Sequence, residues 1–213
     1  MTHLRSHIST ITRLGRTLGV AIAALLGSLP LFCQAESPVV WDNLPPIPDK
    51  HGFAGPFAGM IDGNLIVAGG ANFPDKFPWE GGAKVWHDSV FLLPKESDQW
   101  KPVEFRLPQA LAYGVSISTQ EGLILVGGEE DGQAVADVLR LSWDPTTKQL
   151  TTEDLPPLPR PASYLAGAMI GRKIYIAASF RTDGSDRLDT KSFWSLDLDD
   201  LPSGKSQWRS LET

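Results

Sequence analysis

The run Leu65-Ile66-Val67-Ala68-Gly69-Gly70 is the most informative part of this sequence, because similar runs follow it twice. The second is Ile124-Leu125-Val126-Gly127-Gly128, and the third, Ile174-Tyr175-Ile176-Ala177-Ala178, ends in alanines instead of glycines. Their β-branched and aliphatic residues favour strands. Glycines at a strand end permit positive φ and let neighbouring backbones approach closely. The repeat therefore predicts three similar strands, each followed by a doublet of small residues.

The doublets begin at residues 69, 127 and 177, so they are spaced by 58 and then by 50 residues. Small and aromatic residues precede each run, and an alternating strand follows it. A last short strand completes each copy, marked by Trp100, Leu150 and Trp208. Leu-Pro pairs separate the copies, at Leu44, Leu107 and Leu155. Each copy is therefore expected to contain four short strands.

Four short strands in a period of about 50 residues are typical of the kelch blade of a β-propeller. After residue 35, no segment has helical periodicity over 11 or more residues. We therefore predict an all-β, kelch-type β-propeller. A two-sheet sandwich is the alternative, because its short strands recur at a similar spacing.

The first 35 residues are predicted to be a secretory signal peptide. Arg5, Arg13 and Arg16 precede an apolar run over residues 18–32, which is shorter than the roughly 20 residues of a spanning helix. Cys33-Gln34-Ala35 offers small residues for cleavage. An uncleaved membrane anchor is the alternative. We expect a periplasmic protein that is not membrane-bound after cleavage, with full secretion as a second destination.

The composition excludes some classes of protein. A hydrophobic fraction of 42% suits a globular protein and not a disordered chain. A net charge of −6 without basic clusters argues against a nucleic-acid partner. Cys33 is the one cysteine and lies in the predicted leader, so the exported protein would have no disulfide. The oligomeric state is not indicated.

The repeat length divides residues 36–213 into about three blades, over residues 41–103, 104–154 and 155–213. Propellers usually close with about four to eight blades. We therefore expect an incomplete ring, from the N-terminal part of a longer protein or from a truncated gene product. A short chain that completes its ring by oligomerising is the alternative.

The first copy contains an insertion over residues 71–86. Asp88 follows its glycine doublet by 18 residues, whereas Asp137 follows the second doublet by 9. The insertion predicts a long loop between the second and third strands of blade one. Long loops on a rigid scaffold often carry function.

An ordered set of motifs resembles the N-acetylneuraminate epimerase (sialic acid mutarotase) kelch family, and most of all its cyclically permuted branch. The motifs are Gly-Phe-Ala-Gly-Pro-Phe-Ala-Gly at 52–59, Ala-Gly-Gly-Ala-Asn-Phe at 68–73, Glu-Gly-Gly at 80–82, Ala-Tyr-Gly-Val-Ser at 112–116 and Val-Gly-Gly-Glu at 126–129. The resemblance implies a six-bladed ring, of which about half is encoded here. It also implies a sugar substrate, a sialic acid above all, and no cofactor.

The same resemblance implies a catalytic Glu with an Arg six residues later, placed after Asn-Gly-Glu. The nearest pattern here is Gly127-Gly128-Glu129, but residue 135 is Val. The pair is therefore not carried over, and we expect it beyond Thr213. Glu129 is an analogous position in a different blade.

Mutarotation requires one group to remove the anomeric hydroxyl proton and another to protonate the ring oxygen. Glu129, at a strand end, and Glu80, beside Trp79 in the insertion, are the candidate catalytic carboxylates. The alternative for Glu129 is a solvated acid of a loop. For Glu80 it is a surface turn.

Five further residues are candidates for substrate binding. Asn72 could donate hydrogen bonds to hydroxyls or cap a turn, and Tyr113, in the first strand of blade two, could contact a ligand or pack in the core. His87 could bind substrate, although a lone histidine is more often structural. Arg160, between two prolines, and Arg181, after the third doublet, are candidate partners of a sugar carboxylate. We expect no metal, because no pair of histidines has zinc spacing.

Taken together, the residues and the resemblance predict a periplasmic sugar mutarotase-like kelch protein. It would interconvert the anomers of N-acetylneuraminate or a related acidic sugar by general acid/base ring opening, without a cofactor. Two alternatives remain open. One is a non-catalytic kelch module that binds glycan or protein, and the other is an inactive, truncated remnant of the enzyme.

Overall fold

The computed structural model describes residues 41–144, 146–147, 149–181, 188–204 and 206–212. The predicted signal peptide and Cys33 lie outside these residues. Leu44–Thr213 forms one compact unit, whose described part consists of antiparallel sheets joined by turns and two short 3₁₀ helices. No helix within the described ranges is long and apolar enough to cross a membrane.

Blade one is a four-stranded sheet with a small hairpin inserted between its second and third strands. The hairpin pairs β3 with β4 and encloses a 3₁₀ turn at Pro78–Glu80, and the sheet order is β1-β2-β5-β6. The strands are β1 Phe57–Ile61, β2 Asn64–Ala68, β3 Ala71–Asn72, β4 Val85–Trp86, β5 Ser89–Leu93 and β6 Lys101–Arg106. The predicted long loop is thus partly a hairpin.

Blade two repeats this arrangement with a shorter inserted hairpin. Its sheet order is β7-β8-β11-β12, and β9 pairs with β10. The strands are β7 Val115–Thr119, β8 Gly122–Val126, β9 Glu129–Glu130, β10 Gln133–Ala134, β11 Val138–Asp144 and β12 Gln149–Asp154. The two copies therefore share strand order as well as sequence.

Blade three differs because its doublet is Ala177-Ala178. Its strands are β13 Ala166–Ile170, β14 Lys173–Arg181, β15 Leu188–Asp197 and β16 Arg209–Ser210, in that order in the sheet, with a 3₁₀ helix at Leu198–Ser203. Both glycines of each earlier doublet have positive φ, which ends β2 and β8. Alanine disfavours that conformation, so β14 continues through the doublet and pairs Ala177 with Phe193 on β15.

Strand β8 lies between two hydrophobic cores. Leu123 and Leu125 pack with Phe57, Ile66 and other residues shared with blade one. Ile124 and Val126 face the opposite way, into a second core with residues of blade three such as Ile174, Ile176 and Leu196. A strand buried on both faces is expected to be continuously apolar, as this one is.

The first strands of the blades also meet. The hydroxyls of Ser116 and Ser118 on β7 accept hydrogen bonds from the backbone N–H groups of Ala58 and Met60 on β1, each at 2.9 Å. This contact closes an otherwise unpaired edge of the first sheet.

Tryptophans fix the outer strands of blades one and three. The indole N–H of Trp100 donates to the carbonyl of Pro45 at 2.7 Å, and that of Trp208 donates to Pro156 at 2.8 Å. Each bond joins the end of a copy to the Leu-Pro pair at its start. The predicted kelch-type β-propeller, with three four-stranded blades, is confirmed. The exact limits of the blades along the chain stay a prediction.

Candidate functional site

Corresponding turns of the three blades meet at the end of the blades where the doublets lie. Gly55, Tyr113 and Tyr164 have φ of 59°, 62° and 53°. The N–H of Tyr113 donates to the Gly55 carbonyl at 2.8 Å, and the N–H of Tyr164 donates to the Tyr113 carbonyl at 2.7 Å. The prediction that Tyr113 lies in a strand is wrong, because its left-handed turn precedes β7.

The doublets hold neighbouring blades together beside these turns. The N–H of Gly70 donates to the Leu111 carbonyl at 2.8 Å, and that of Gly128 donates to the Ala162 carbonyl at 2.9 Å. Each acceptor belongs to the segment that enters the next blade. Each of the turns that carry Tyr113 and Tyr164 is therefore held to the preceding blade by two backbone hydrogen bonds.

Glu129 lies within this framework and is ion-paired with Lys84. The ammonium Nζ of Lys84 lies 3.2 Å from Oε1 of Glu129, and the exposed fractions of the two side chains are 24% and 9%. Nζ also lies 4.1 Å from the ring centroid of Tyr113 and 4.6 Å from that of Trp86. We call these four residues the Lys84 cluster. The Tyr113 ring in turn stacks on Tyr164, with centroids 4.7 Å apart.

The contacts in the cluster stabilise specific protonation states. Burial of the ammonium lowers the pKa of Lys84, but hydrogen bonds with Tyr113 and Glu129 outweigh it, so the net shift is upward. Burial of the phenol and the negative charge of Glu129 raise the pKa of Tyr164. At neutral pH, the lysine is therefore a cation and the phenol keeps its proton.

Asn72 and His87 bind each other in the neighbouring hairpin of blade one. Nε2 of His87 lies 2.8 Å from Oδ1 of Asn72, whose Nδ2 donates to the Gly52 carbonyl at 3.0 Å. The Phe53 ring meets the His87 ring edge to face at 5.1 Å. Asn72 is buried, and its amide therefore fixes the position of the imidazole.

Asn72 of this network and Tyr113 of the Lys84 cluster both line a pocket of about 220 Å³. His51, Asn72, Phe73, Phe77 and Tyr113 are among the residues that line it. Tyr113 belongs to both the pocket and the cluster. The structure thus brings together Glu129, Tyr113 and Asn72 from the predicted set, with His87 bound behind Asn72.

Glu80 lies in an exposed turn outside the cluster. Its carboxylate accepts a hydrogen bond from the N–H of Phe77 at 3.1 Å and closes the 3₁₀ turn. Next to it, the rings of Phe77 and Trp79 stack at 4.7 Å, with 47% and 77% of the side chains exposed. Glu80 therefore stabilises the turn in which these two aromatic residues are exposed.

The two candidate arginines belong to the second half of the chain. Arg160 is exposed in the segment that joins β12 to β13. Arg181 ends β14, and its side chain lies outside the part of the chain that the structure describes. Among the described residues, no group of three or more His, Cys, Asp or Glu side chains is arranged to hold a metal ion.

Sequence reasoning missed Lys84, Trp86 and Tyr164. Tyr164 could have been found, because it comes six residues after Leu158 of a Leu-Pro pair, as Tyr113 comes six residues after Leu107 of a Leu-Pro pair. Lys84 gives no comparable signal. It reaches Glu129 across 45 positions of the chain, through the packing of one blade's hairpin on the next blade.

A family model described as N-acetylneuraminate epimerase matches residues 33–151. The chain belongs to the N-acetylneuraminate epimerase family. The resemblance seen in the sequence is thereby confirmed. The matched residues include Lys84, Tyr113 and Glu129, whereas Tyr164 lies beyond them.

Curated relatives carry the same family name. N-acetylneuraminate epimerase 1 of Escherichia coli O6:H1 is 41% identical over 113 residues, which are 48% of this chain and 30% of the relative. N-acetylneuraminate epimerase of Haemophilus influenzae (strain PittEE) is 35% identical over 130 residues, which are 54% of this chain and 33% of the relative. The chain thus matches about a third of the length of these epimerase family members.

A solved structure titled "Structure of YjhT" shares the fold of this epimerase family chain. The TM-score is 0.61 at 17% identity, and the similarity covers 84% of this chain and 56% of the other. At this identity, the likeness concerns the fold alone.

Proposed function

We propose that this protein interconverts the anomers of N-acetylneuraminate or of a related acidic sugar. Membership of the family supports the sugar class. The observation that carries the proposal is the buried Glu129 carboxylate, which Lys84 holds at 3.2 Å beside Tyr113. Opening a cyclic hemiketal requires a general base and a general acid, and the Glu129 carboxylate and the phenol of Tyr164, whose pKa is raised by burial and by the charge of Glu129, can serve as this pair.

In the proposed mechanism, Glu129 removes the proton of the anomeric hydroxyl. The bond between the anomeric carbon and the ring oxygen breaks, a carbonyl forms, and the phenol of Tyr164 protonates the ring oxygen. Rotation about the adjoining carbon–carbon bond exposes the other face of the carbonyl. The reverse steps close the ring, return the proton from Glu129 to the new hydroxyl and restore Tyr164.

The other candidate residues take binding roles in this proposal. The pocket between Asn72, Phe77 and Tyr113 would receive the sugar ring or its acyl group, because aromatic walls with a few polar groups suit such ligands. His87 would hold Asn72 in place. Arg160, Arg181 and Glu80 remain candidates for contacts with the rest of the sugar. We also propose export to the periplasm by the leader over residues 1–35.

Proton NMR tests the activity directly. We expect the protein to accelerate the α-to-β interconversion of freshly released N-acetylneuraminate in proportion to its concentration. Glu129→Gln should reduce the rate about a hundredfold, the usual contribution of one acid–base group. Glu153→Gln is the matched control, because Glu153 is also ion-paired, in this case with Arg140 across β11 and β12. A rate equal to that of the uncatalysed sugar would overturn the proposal.

A second candidate is a non-catalytic glycan-binding module, favoured by the exposed stack of Phe77 and Trp79. Aromatic faces of this kind pack against the apolar faces of sugars. In saturation-transfer NMR with N-acetylneuraminate, Trp79→Ala should then abolish transfer. Trp41→Ala, which removes another exposed tryptophan, should leave it unchanged. Binding without any acceleration of mutarotation would favour this candidate.

A further inference from the structure

The side chain of Lys84 joins two blades at the candidate site. It precedes β4 in the inserted hairpin of blade one, and its ammonium meets Glu129 at the doublet of blade two. The faces of Trp86 and Tyr113 flank the ammonium. Lys84 is the more exposed partner of the ion pair, so a ligand reaches its ammonium more readily than the carboxylate of Glu129.

The spacing of this pair matches a particular kind of anomeric centre. In a cyclic 2-keto sugar acid, the anomeric carbon carries both the reacting hydroxyl and a carboxylate, so their oxygens lie within a hydrogen-bond length of one another. Lys84 Nζ and Glu129 Oε1 are 3.2 Å apart. One group of this pair can therefore accept the hydroxyl proton while its neighbour binds the carboxylate on the same carbon.

Charge supports the same assignment. When Glu129 accepts the hydroxyl proton it becomes neutral, and Lys84 is left without its counter-ion in a partly enclosed site. A substrate carboxylate at that position restores the pairing, and charged hydrogen bonds of this type are the stronger ones. A neutral sugar offers no such compensation, because its anomeric carbon bears hydrogen or a hydroxymethyl group in place of the carboxylate.

We propose that Lys84 is the specificity-determining residue that selects sugar acids with a carboxylate on the anomeric carbon over neutral sugars. The inference rests on the proposed function for the position of the sugar at Glu129. It assigns to Lys84 a role separate from the proton transfers of Glu129 and Tyr164. If the inference holds, the protein distinguishes the free acid from its ester, because these two ligands share every group except the carboxylate.

Affinity measurements test the assignment without requiring turnover. NMR titrations of the whole chain would compare N-acetylneuraminate with its methyl ester at neutral pH. We expect the wild type to bind the free acid about ten- to a hundredfold more tightly, as one charged hydrogen bond allows. Lys84→Met should abolish this preference, and Lys84→Arg, which keeps the charge, should retain most of it.

Lys173→Met is the matched control. Lys173 pairs with Asp197 at 3.3 Å in blade three, so its removal costs a similar ion pair and should leave the preference intact. Lys84→Gln replaces Lys84→Met if that variant does not fold. Equal binding of acid and ester by the wild type, or an undiminished preference in the Lys84 variants, would overturn the inference. A wild type that prefers the acid but does not accelerate mutarotation would overturn the proposed function alone.

Discussion

Tyr113 and Tyr164 adopt a backbone conformation that aromatic residues usually avoid. The left-handed region costs an L-residue about 1–2 kcal/mol, and strain of this kind clusters at functional sites. Here the conformation lets each residue donate its N–H to the matching turn of the preceding blade. It also brings the two rings into a stack beside Lys84. The strain is therefore part of how the blades assemble the candidate site.

Gly55 shows why the series begins with a glycine. A Cβ atom at this position would lie 2.4 Å from the Tyr113 ring, far inside van der Waals contact. The absence of a side chain in one blade thus makes room for the aromatic ring of the next. An alignment of the copies shows a glycine opposite a tyrosine, but it does not show that the one makes room for the other.

The first glycine of the doublet supports a sharp prediction about stability. Gly69 has φ of 65°, and a Cβ there would lie 2.2 Å from the Leu111 carbonyl oxygen. Gly69→Ala should therefore lower the free energy of unfolding by more than about 2 kcal/mol, since it combines left-handed strain with a backbone clash. Urea denaturation measures the change.

Gly171→Ala is the control for this substitution. Gly171 has a similar φ of 61°, but nothing lies within 4 Å of the added Cβ. Gly171→Ala should lower the free energy of unfolding by about 1 kcal/mol, which is the cost of the left-handed conformation alone. Equal decreases in the free energy of unfolding of the two variants would mean that the clash with the Leu111 carbonyl contributes nothing.

The strands illustrate what the sequence could predict and what it could not. The apolar run at β8 and the alternating strand at β11 were recognisable, because burial fixes the spacing of apolar residues in each. The sequence does not predict the extended β14–β15 hairpin, because Ala177-Ala178 occupies the position of the glycine doublets in the repeat. The difference is physical: alanine disfavours the positive φ that ends β2 and β8.

The candidate site was only partly predictable for a different reason. Glu129 follows its doublet directly and Asn72 follows its doublet after Ala71, so local sequence is enough to select them. Lys84 acts on Glu129 from another blade, and the distance between them depends on how the two sheets pack. The sequence places Tyr113 in a strand because strand periodicity gives no sign of a left-handed turn just before β7.

The outer strand of blade three supports a prediction about its tryptophan. Trp208→Phe keeps most of the packing but removes the indole N–H that binds the Pro156 carbonyl at 2.8 Å. The free energy of unfolding should fall by about 1 kcal/mol, the usual net value of one hydrogen bond. Trp86→Phe is a suitable comparison, because the buried Nε1 of Trp86 has no hydrogen-bond partner. A loss in Trp86→Phe as large as that in Trp208→Phe would exclude the hydrogen bond as the cause.

The blades are held together differently at their two ends. At the doublet end, backbone hydrogen bonds and the Lys84–Glu129 pair join blade one to blade two and blade two to blade three. In the turns between the first two strands of each blade, Arg172 joins blade three to Glu121 of blade two at 2.7 Å. The guanidinium also binds Asp199 within its own blade at 2.6 Å. Arginine suits this role because its fork of donors reaches two carboxylates at once.

The Arg172 contact should make the docking of blades two and three sensitive to acid. Burial of the Glu121 carboxyl raises its pKa, but the hydrogen bonds from Arg172, from its own backbone N–H and from Thr119, together with the positive charge of Arg172, outweigh this, and the net pKa lies below its ordinary value of 4.5. A carboxyl with a lowered pKa stabilises the fold above that value and loses its contribution as the pH falls through the folded-state pKa. Arg172→Ala should therefore have a lower free energy of unfolding than wild type at pH 7. Urea denaturation at a series of pH values should show that this difference in free energy narrows steadily below pH 4.5. Glu121→Gln should remove the part of this acid dependence that is due to Glu121 and leave the part due to the Asp199 pair. An unchanged gap in the free energy of unfolding between wild type and Arg172→Ala at pH 7 and pH 3 would show that the arginine acts by packing alone.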